Sequence, residues 1–347
     1  MGRGPPGGIP SRSGWRSRRG SHGAAQPGGR RSHRPLARCV PAYGRGADFI
    51  LEEDSVDTNF DPVSLEEIVT RALREDVGDG DVTTEWTLAP DAVARARFEA
   101  GQAGILSGLY PACLTFREVD PGLEFRALLT DGAQVEPGQP IAEVRGAAGS
   151  LLTAERTALN FMRHLSGIAS MTRQYVDAVR NTGARIVDTR KTTPGLRVLE
   201  KRAVLHGGGG NHRHGLFDMV LIKDNHIAAA GGIAAAVRRC RSNMEQAGRR
   251  YDIEVETSGL DQVEEAVRSG SDWIMLDNMS DAEMRTAVGR IRALTAADRS
   301  IVVEASGAIT LKRLEAIAKT GVDVISVGAL THSAPALDIS LNVITSA

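Results

Sequence analysis

Four short apolar stretches in the second half of the chain decide its fold: DIEVE (252–256), WIMLD (273–277), IVVEA (301–305) and VISV (324–327). Each stretch is rich in β-branched or large apolar residues, as expected of a buried strand. They begin 21, 28 and 23 residues apart, a spacing that accommodates one strand, one helix and two turns. The repeat therefore predicts parallel strands that alternate with helices.

Two earlier stretches, IVD (186–188) and MVLI (219–222), extend the same pattern to six strands. No GxGxxG fingerprint follows the first strand, which disfavours an open nucleotide-binding sheet. We therefore predict an α/β fold, an incomplete (β/α) barrel over residues 161–333. Functional groups of such barrels lie at the C-terminal ends of the strands.

A smaller α+β N-terminal domain is predicted over residues 61–160. Ser64 and Glu67 form a capping-box pattern at the start of an amphipathic helix, and LLTDGAQVEPGQPIAEV (128–144) is typical of strand, turn and strand. The last residues, 334–347, are predicted to return towards this N-terminal domain.

The composition is that of a globular protein, with 41% hydrophobic and 24% charged residues in 347. No apolar run is long enough to span a membrane, and no apolar signal-peptide core follows the basic start. We therefore predict a cytoplasmic protein that binds neither membranes nor nucleic acid. Aromatic residues, at 4%, are too few for a stacking surface that would bind single-stranded nucleic acid.

The N-terminus differs in composition from the rest of the chain. Residues 1–47 hold ten arginines and no acidic residue, among many Gly, Pro and Ser. Such a segment could contact nucleic acid or a membrane surface, or direct the chain to an organelle. Because it has no amphipathic period, we favour a disordered extension over residues 1–60.

Cations follow three of the predicted strands. DTRKTTPGLR (188–197) carries Arg190 and Lys191 among three threonine hydroxyls and is followed within 35 residues by GGGGNHRH (207–214) and LIKDNH (221–226). The last two contribute Arg213 and Lys223. Since the C-terminal ends of parallel strands meet at one edge, these groups predict a site for carboxylate or phosphate oxygens.

The histidines near these cations raise the alternative of a zinc site. Four of the eight fall in the second and third clusters: His206, His212, His214 and His226. Their spacing is not that of an HExxH helix, and the flanking Arg213 and Lys223 would repel a metal ion. We therefore interpret His212 as a donor to an anionic substrate.

Carboxylates follow two later strands. Glu254 and Glu256 share one face of a strand because side chains alternate, and Asp277 ends the next strand. These acids could form ion pairs in the barrel core. Beside a cation-lined pocket they also suit Mg²⁺, which binds one or two carboxylates together with substrate oxygens. We favour Mg²⁺ as the cofactor, with Glu256 and Asp277 as its ligands.

The last two strands end in EASG (304–307) and SVG (326–328). Small residues at a strand end allow backbone N–H groups to approach an anion, and many (β/α) barrels bind phosphate late in the chain. Ser306, Gly307 and Gly328 are therefore the predicted phosphate ligands, although plain tight turns would explain either motif alone.

Taken together, these motifs resemble the quinolinate phosphoribosyltransferases, also called carboxylating nicotinate-nucleotide pyrophosphorylases, which are type II phosphoribosyltransferases. The resemblance spans about residues 62–340 and rests on the following motifs in order: LREDVGDGDVTT (73–84), ERTALN (155–160), DTRKTTPGLR (188–197), GGNHR (209–213), LIKDNH (221–226), EVE (254–256), LDN (276–278), EASG (304–307) and GALTH (328–332).

The resemblance implies a pentosyltransferase of de novo NAD biosynthesis. It would join quinolinate to phosphoribosyl pyrophosphate and release nicotinate mononucleotide, carbon dioxide and pyrophosphate. The family further implies a homodimer in which Arg156 reaches the neighbouring site. The related transferases that use nicotinate bind a single carboxylate, and the surplus of cations here disfavours that reaction. A non-catalytic binder of phosphorylated sugars would not need Glu256 and Asp277.

Residue roles also follow from the resemblance. Quinolinate carboxylates would be held by Arg190, His212, Arg213 and Lys223, with Lys191 shared between quinolinate and the donor. Glu256 and Asp277 would serve the Mg²⁺-pyrophosphate side, and Ser306, Gly307 and Gly328 the 5'-phosphate. The catalytic residues would be Lys191, Lys223, Glu256 and Asp277.

Two positions depart from the family pattern. Ala308 stands where a second glycine is usual, and Arg202 where an aromatic residue is common. If residue 308 required a positive φ, alanine would weaken donor binding.

Overall fold

A computed structural model describes residues 64–297 and 299–344 of the chain. It has the mixed α/β architecture predicted from the sequence, with an N-terminal α+β region and a parallel-sheet α/β domain. The extension predicted to be disordered, residues 1–60, lies outside the described residues.

The strands are β1 (Val93–Ala100), β2 (Gly104–Ile105), β3 (Glu124–Ala127), β4 (Gln134–Val135), β5 (Pro140–Ala147), β6 (Arg185–Val187), β7 (Val220–Ile222), β8 (Ile253–Thr257), β9 (Trp273–Asp277), β10 (Val302–Ser306), β11 (Val324–Ser326) and β12 (Ile339–Val343). The helices are α1 (Leu65–Val77), α2 (Val82–Thr87), α3 (Leu109–Val119), α4 (Ala148–Val179), α5 (Arg197–His206), α6 (Asp224–Ala230), α7 (Ile233–Ala247), α8 (Leu260–Ser269), α9 (Asp281–Leu294), α10 (Leu311–Ala318) and α11 (Ala329–His332).

The N-terminal region is built on an antiparallel sheet in the order β12-β1-β5-β3. Strand β12 pairs with β1, so residues 339–343 lie in the N-terminal sheet, and Leu337 and Ile339 are buried. Phe98, Phe116 and Phe125 pack together in the core of this region, with ring centroids 5.9–6.2 Å apart.

Helix α4 belongs to both regions. Leu151 and Met162 are buried in the core of the antiparallel sheet, whereas Ile168 and Tyr175 are buried in the core of the parallel sheet. The predicted domain boundary at residue 160 falls within this helix. Within the described residues, no helix is both long and apolar enough to cross a membrane.

The parallel sheet has six strands in the order β6-β11-β10-β9-β8-β7. Its two outer strands, β6 and β7, do not pair with each other, as expected of an incomplete (β/α) barrel. A single parallel bridge between Val187 and Gly210 links the β6 edge to the segment that leads into β7.

The register of this sheet determines which side chains share its inner face. Glu256 is paired with Met275, which is paired with Glu304, and Asp277 is paired with Ser306. Directly opposed residues of parallel strands point to the same side. Glu254, Glu256, Asp277, Glu304 and Ser306 therefore lie on one face, with Asp277 and Ser306 at the C-terminal ends of their strands.

Candidate functional site

The cation-rich loop after β6 starts from a buried ion pair. Asp188 and Lys201 are 0% and 1% exposed, and Lys201 Nζ donates to Asp188 Oδ1. Asp188 also accepts the backbone N–H of His212 at 2.9 Å and the Asn211 side-chain amide at 2.7 Å. Lys201 donates a second bond to the His212 carbonyl at 2.9 Å. The ion pair thus joins the two predicted cation clusters, residues 188–197 and 207–214, through the backbone of His212.

A second tie between the same segments comes from Arg197, the first residue of α5. Its guanidinium donates to Thr192 Oγ1 at 3.0 Å, to the Arg190 carbonyl at 3.4 Å and to the His214 carbonyl at 3.1 Å. The loop after β6 is also fixed by Glu200 of α5. Glu200 is fully buried, accepts the Thr193 N–H and contacts His164 Nε2. The loop conformation is therefore fixed by α5.

Arg190 and Arg213 carry the strongest evidence for an anion site. Burial and the charge of Arg190 lower the pKa of Arg213 below its usual value, and the opposing charges of Glu254 and Asp218 are too weak to cancel them. Within residues 64–297 and 299–344, neither guanidinium forms an ion pair, and Arg190 Nε is buried without a hydrogen-bond partner. Two neighbouring, partly buried cations that repel each other favour an anion between them.

Lys223 and Glu256 form an ion pair at the mouth of the barrel. Lys223 Nζ lies 2.8 Å from Glu256 Oε2, with side-chain exposures of 45% and 19%. Lys223 follows β7, and Glu256 lies on the neighbouring β8. The predicted substrate cation and the predicted metal ligand are therefore adjacent and both accessible.

Asp277 and the turn after β10 are connected through Asn278. The Asn278 side chain donates to Asp277 Oδ2 at 2.9 Å and accepts the Ala308 N–H at 3.1 Å. Among the described residues other than glycine, Asn278 is alone in having a positive φ, 53°. Ala308 is therefore outside the left-handed region, so its side chain causes no backbone strain.

Position 307 has no room for a side chain. Its φ is +114°, and a Cβ there would lie 2.2 Å from Asn278 Oδ1. Ser306, at the end of β10, and Gly307 are both partly exposed beside Asp277. These residues form the turn in which the sequence predicts phosphate binding.

Lys191 and Gly328 lie together at the opposite edge of the sheet. A Cβ on Gly328 would be 2.9 Å from Lys191 Cδ and 3.2 Å from His332 Nε2. Thr331 Oγ1 donates to the Lys191 carbonyl at 2.7 Å, which joins the loop after β6 to α11. Lys191 is thereby brought beside the second predicted phosphate turn.

The structure places His212 deeper than the sequence suggested. Its side chain is 6% exposed, and Nε2 lies 3.1 Å from both Glu254 Oε2 and Glu304 Oε2. Nδ1 accepts the N–H of Arg213 at 2.8 Å. The ring is thus buried between two carboxylates, so the geometry does not favour His212 as a direct donor to substrate.

The titration of this cluster follows from its burial. Burial opposes the charged imidazole, but the two neighbouring carboxylates outweigh it and raise the pKa of His212 to about 10. Burial and the charge of Glu304 raise the pKa of Glu254 to about 7. The charged imidazole and the two carboxylates therefore lie at ion-pair distance inside the protein.

Among the described residues, His212, Glu254 and Glu304 are also the only group of three or more potential metal ligands, with ligand atoms within 4.8 Å of one another. The other histidines considered for zinc are used separately. His206 Nδ1 contacts Ser107 Oγ at 2.8 Å, and His226 Nδ1 accepts the Lys223 N–H at 3.0 Å. The four histidines of the zinc alternative are therefore not assembled into one site.

Arg156 lies apart from these groups, exposed on α4. Arg202 is partly buried on α5, and its Nε has no hydrogen-bond partner among the described residues. Lys201 is not among the residues predicted from the sequence, although only five lysines occur in the chain and this rarity was an available signal. Nor is the contact of Glu304 with His212 predicted, because it depends on the tertiary structure.

Two family models match the chain. The family model "Quinolinate phosphoribosyl transferase, C-terminal domain" matches residues 168–342, and the corresponding N-terminal domain matches residues 81–166. The chain belongs to the quinolinate phosphoribosyltransferase family. The resemblance inferred from the motifs is thereby confirmed.

Relatives cover most of the chain. A probable carboxylating nicotinate-nucleotide pyrophosphorylase of Synechocystis is 48% identical over 272 residues, which are 78% of this chain and 90% of the relative. The carboxylating nicotinate-nucleotide pyrophosphorylase of Mycobacterium leprae is 43% identical and covers 82% of this chain and 99% of its own length.

A solved structure supports the same fold. The nicotinate-nucleotide pyrophosphorylase of Francisella tularensis superimposes with a TM-score of 0.75 at 39% identity. The match covers 81% of this chain and 96% of that chain.

Proposed function

We propose that this protein is a decarboxylating quinolinate phosphoribosyltransferase. It joins quinolinate to phosphoribosyl pyrophosphate and releases nicotinate mononucleotide, carbon dioxide and pyrophosphate. The observation that carries the proposal is the pair Arg190 and Arg213, two partly buried residues whose guanidinium groups form no ion pair among the described residues. Family membership supports the same reaction.

Quinolinate has two adjacent carboxylates, and the site offers cations from three loops to bind them. The forks of Arg190 and Arg213 suit bidentate contacts to carboxylate oxygens, and the exposed Lys223 adds a third cation. Each such contact contributes on the order of 1.5 to 3 kcal/mol. We propose that His212 acts on quinolinate indirectly, because its buried ring pairs with Glu254 and Glu304 and so fixes the chain directly before Arg213.

The chemistry needs orientation more than acid–base catalysis. The pyridine nitrogen forms a bond to the anomeric carbon of the ribose while the bond from that carbon to pyrophosphate breaks. The positively charged ring nitrogen then stabilises the electron pair left on the adjacent carbon when its carboxylate leaves as carbon dioxide, and that carbon takes a proton from water to give nicotinate mononucleotide. Arg190, Arg213 and Lys223 hold the ring in the orientation that both steps require.

The donor side uses the turns at the strand ends. We propose that Ser306, Gly307 and Gly328 bind the 5'-phosphate, since both glycines lie where a side chain would meet neighbouring atoms. Lys191, beside Gly328, reaches the donor from the quinolinate side. The negative charges of Glu256 and Asp277 stabilise the cation-like ribose in the transition state.

Glu256 and Asp277 also fit a magnesium ion. They are partly exposed on adjacent strands, share one face, and offer the carboxylate oxygens that Mg²⁺ prefers. When bound, Mg²⁺ would neutralise negative charge on the pyrophosphate of the donor. Lys223, which is paired with Glu256 in this structure, would then be available to quinolinate.

We also propose a homodimer in which the exposed Arg156 contributes to the neighbouring site, as the family resemblance implies. A cytoplasmic location stays a prediction from the sequence.

The decisive test is release of carbon dioxide from carboxyl-labelled quinolinate in the presence of phosphoribosyl pyrophosphate and Mg²⁺, with nicotinate as the competing acceptor. We expect release that depends on the donor. Consumption of nicotinate without release from quinolinate would instead indicate a non-decarboxylating transferase. Glu256→Gln and Asp277→Asn should abolish turnover yet retain quinolinate binding, which separates an enzyme from a binding protein.

A further inference from the structure

Asp188 and Lys201 form a buried ion pair close in sequence to Arg190, one of the cations proposed to bind quinolinate. Their side chains are 0% and 2% exposed. Burial raises the pKa of Asp188 and lowers that of Lys201, so keeping both groups charged costs solvation free energy. Well-packed apolar residues often give equal or greater stability than a buried ion pair. Stability of the fold alone therefore does not account for it.

The contacts of this pair converge on the residue before Arg213. Asp188 Oδ1 accepts the His212 N–H at 2.9 Å, and Lys201 Nζ donates to the His212 carbonyl at 2.9 Å. Both backbone polar groups of His212 are thus fixed by the pair. Asn211 adds a bond to Asp188 Oδ2 at 2.7 Å and one to the Lys201 carbonyl at 3.0 Å.

The same pair lies close in sequence to the other arginine. Arg190 follows Asp188 by two residues, and Arg213 directly follows His212. Asp188 and Lys201 therefore connect the two backbone segments from which the guanidinium groups extend. Because these groups repel each other, their backbone supports must be held in place before the anion arrives.

We propose that Asp188 and Lys201 are positioning residues that determine specificity for a ligand with two adjacent carboxylates. They hold the segments bearing Arg190 and Arg213 at the separation that such a ligand requires. A ligand with one carboxylate needs only one correctly placed cation and tolerates a change in that separation. This inference rests on the proposed function, since it takes quinolinate as the ligand.

The experiment compares quinolinate with nicotinate, which lacks one of the two carboxylates. The variant is the double substitution Lys201→Met with Asp188→Asn, which leaves no unpaired charge in the core. The control is Lys319→Met, because Lys319 forms an exposed pair with Glu315 on a distant helix. Binding of each ligand is measured by calorimetry without the donor, and folding is checked by near-ultraviolet circular dichroism.

We expect the double variant to bind quinolinate roughly tenfold or more weakly, the effect of losing one charge-assisted contact. Its affinity for nicotinate should change by less than about twofold, as should both affinities of the control. An equal loss for the two ligands, or no loss for either in the folded variant, overturns the inference.

Asn211→Ala provides a second test if the double variant does not fold. Asn211 is exposed, and its substitution removes two bonds to the pair but leaves the pair itself charged. We expect a smaller loss, again confined to quinolinate, and equal effects on the two ligands contradict the inference. Failure of the proposed function is distinguishable, since it appears as absent carbon dioxide release by the unsubstituted protein.

Discussion

His212 lies between two buried carboxylates, and this position links the stability of the protein to pH. In the unfolded chain the imidazole loses its proton near its ordinary pKa of 6.5, whereas in the folded protein the pKa is about 10. Between these values the folded state binds more protons than the unfolded state. Stability contributed by His212 is therefore complete below about pH 6.5 and is lost as the pH rises towards about 10.

Glu254 acts in the same direction at lower pH. Its pKa rises from 4.5 to about 7 on folding, so the folded state again holds the extra proton. The stability associated with protonated Glu254 is present below about pH 4.5 and is lost as the pH rises through about 7.

We predict that the free energy of unfolding falls between about pH 6.5 and pH 10 by on the order of 1 kcal/mol per pH unit. Urea unfolding at several pH values measures this slope. His212→Gln should remove the histidine contribution, so its slope reports the other titrating groups. The difference between the two slopes then gives the contribution of His212. Equal slopes in the two proteins would show that the cluster does not bind the additional proton.

At the scale of secondary-structure elements, the turn after β10 depends on the residue that follows β9. Gly307 has a φ of +114° and lies where a Cβ would be 2.2 Å from Asn278 Oδ1. Asn278 in turn holds the next N–H, that of Ala308, at 3.1 Å. Substitution at Gly307 must therefore displace Asn278 or distort the turn, at a strain of about 1 to 3 kcal/mol.

We predict that Gly307→Ala raises the KM for phosphoribosyl pyrophosphate by about tenfold, because the proposed phosphate ligands lose their arrangement. The KM for quinolinate, which binds at other loops, should change little. Initial rates of carbon dioxide release at varied donor and saturating quinolinate measure the effect.

Ala308→Gly is the matched control. The φ of Ala308 is not positive, so glycine relieves no strain, and we expect a donor KM within about twofold of the unsubstituted protein. If both variants weaken donor binding alike, the clash of a Cβ at position 307 with Asn278 is not the cause.

The elements themselves could be predicted from local sequence, whereas the depth of side chains within the barrel could not. The βα spacing predicted all six parallel strands, and the Ser64 and Glu67 pattern predicted the capping box that starts α1. Alternation also placed Glu254 and Glu256 on one face correctly. It could not show that Glu254 is buried against His212 while Glu256 reaches Lys223, because these partners come from other strands and loops.

Lys201 was missed for the same reason. Helical periodicity places a lysine on α5, but only the tertiary structure brings it to Asp188 and the His212 carbonyl. Motifs locate residues along the chain, and the charge balance of a buried site depends on contacts that motifs do not describe.

At the scale of the whole molecule, the proposed homodimer makes a quantitative prediction about mixed subunits. Suppose that each site uses Arg213 of its own chain and Arg156 of the other chain. Arg213→Ala then damages the site of the subunit that carries it, and Arg156→Ala damages the site of the partner subunit. Symmetric dimers of either variant then carry a defect in both sites.

A mixed dimer of these two variants contains one site with both arginines and one site with neither. Random exchange of subunits produces mixed dimers in about half of the population, so we predict recovery of roughly a quarter of the activity of the unsubstituted protein. Activity is measured before and after the variants are unfolded together and refolded, with each variant refolded alone as the control. If Arg156 acted within its own subunit, the mixed dimer would contain no intact site, and mixing would restore no activity.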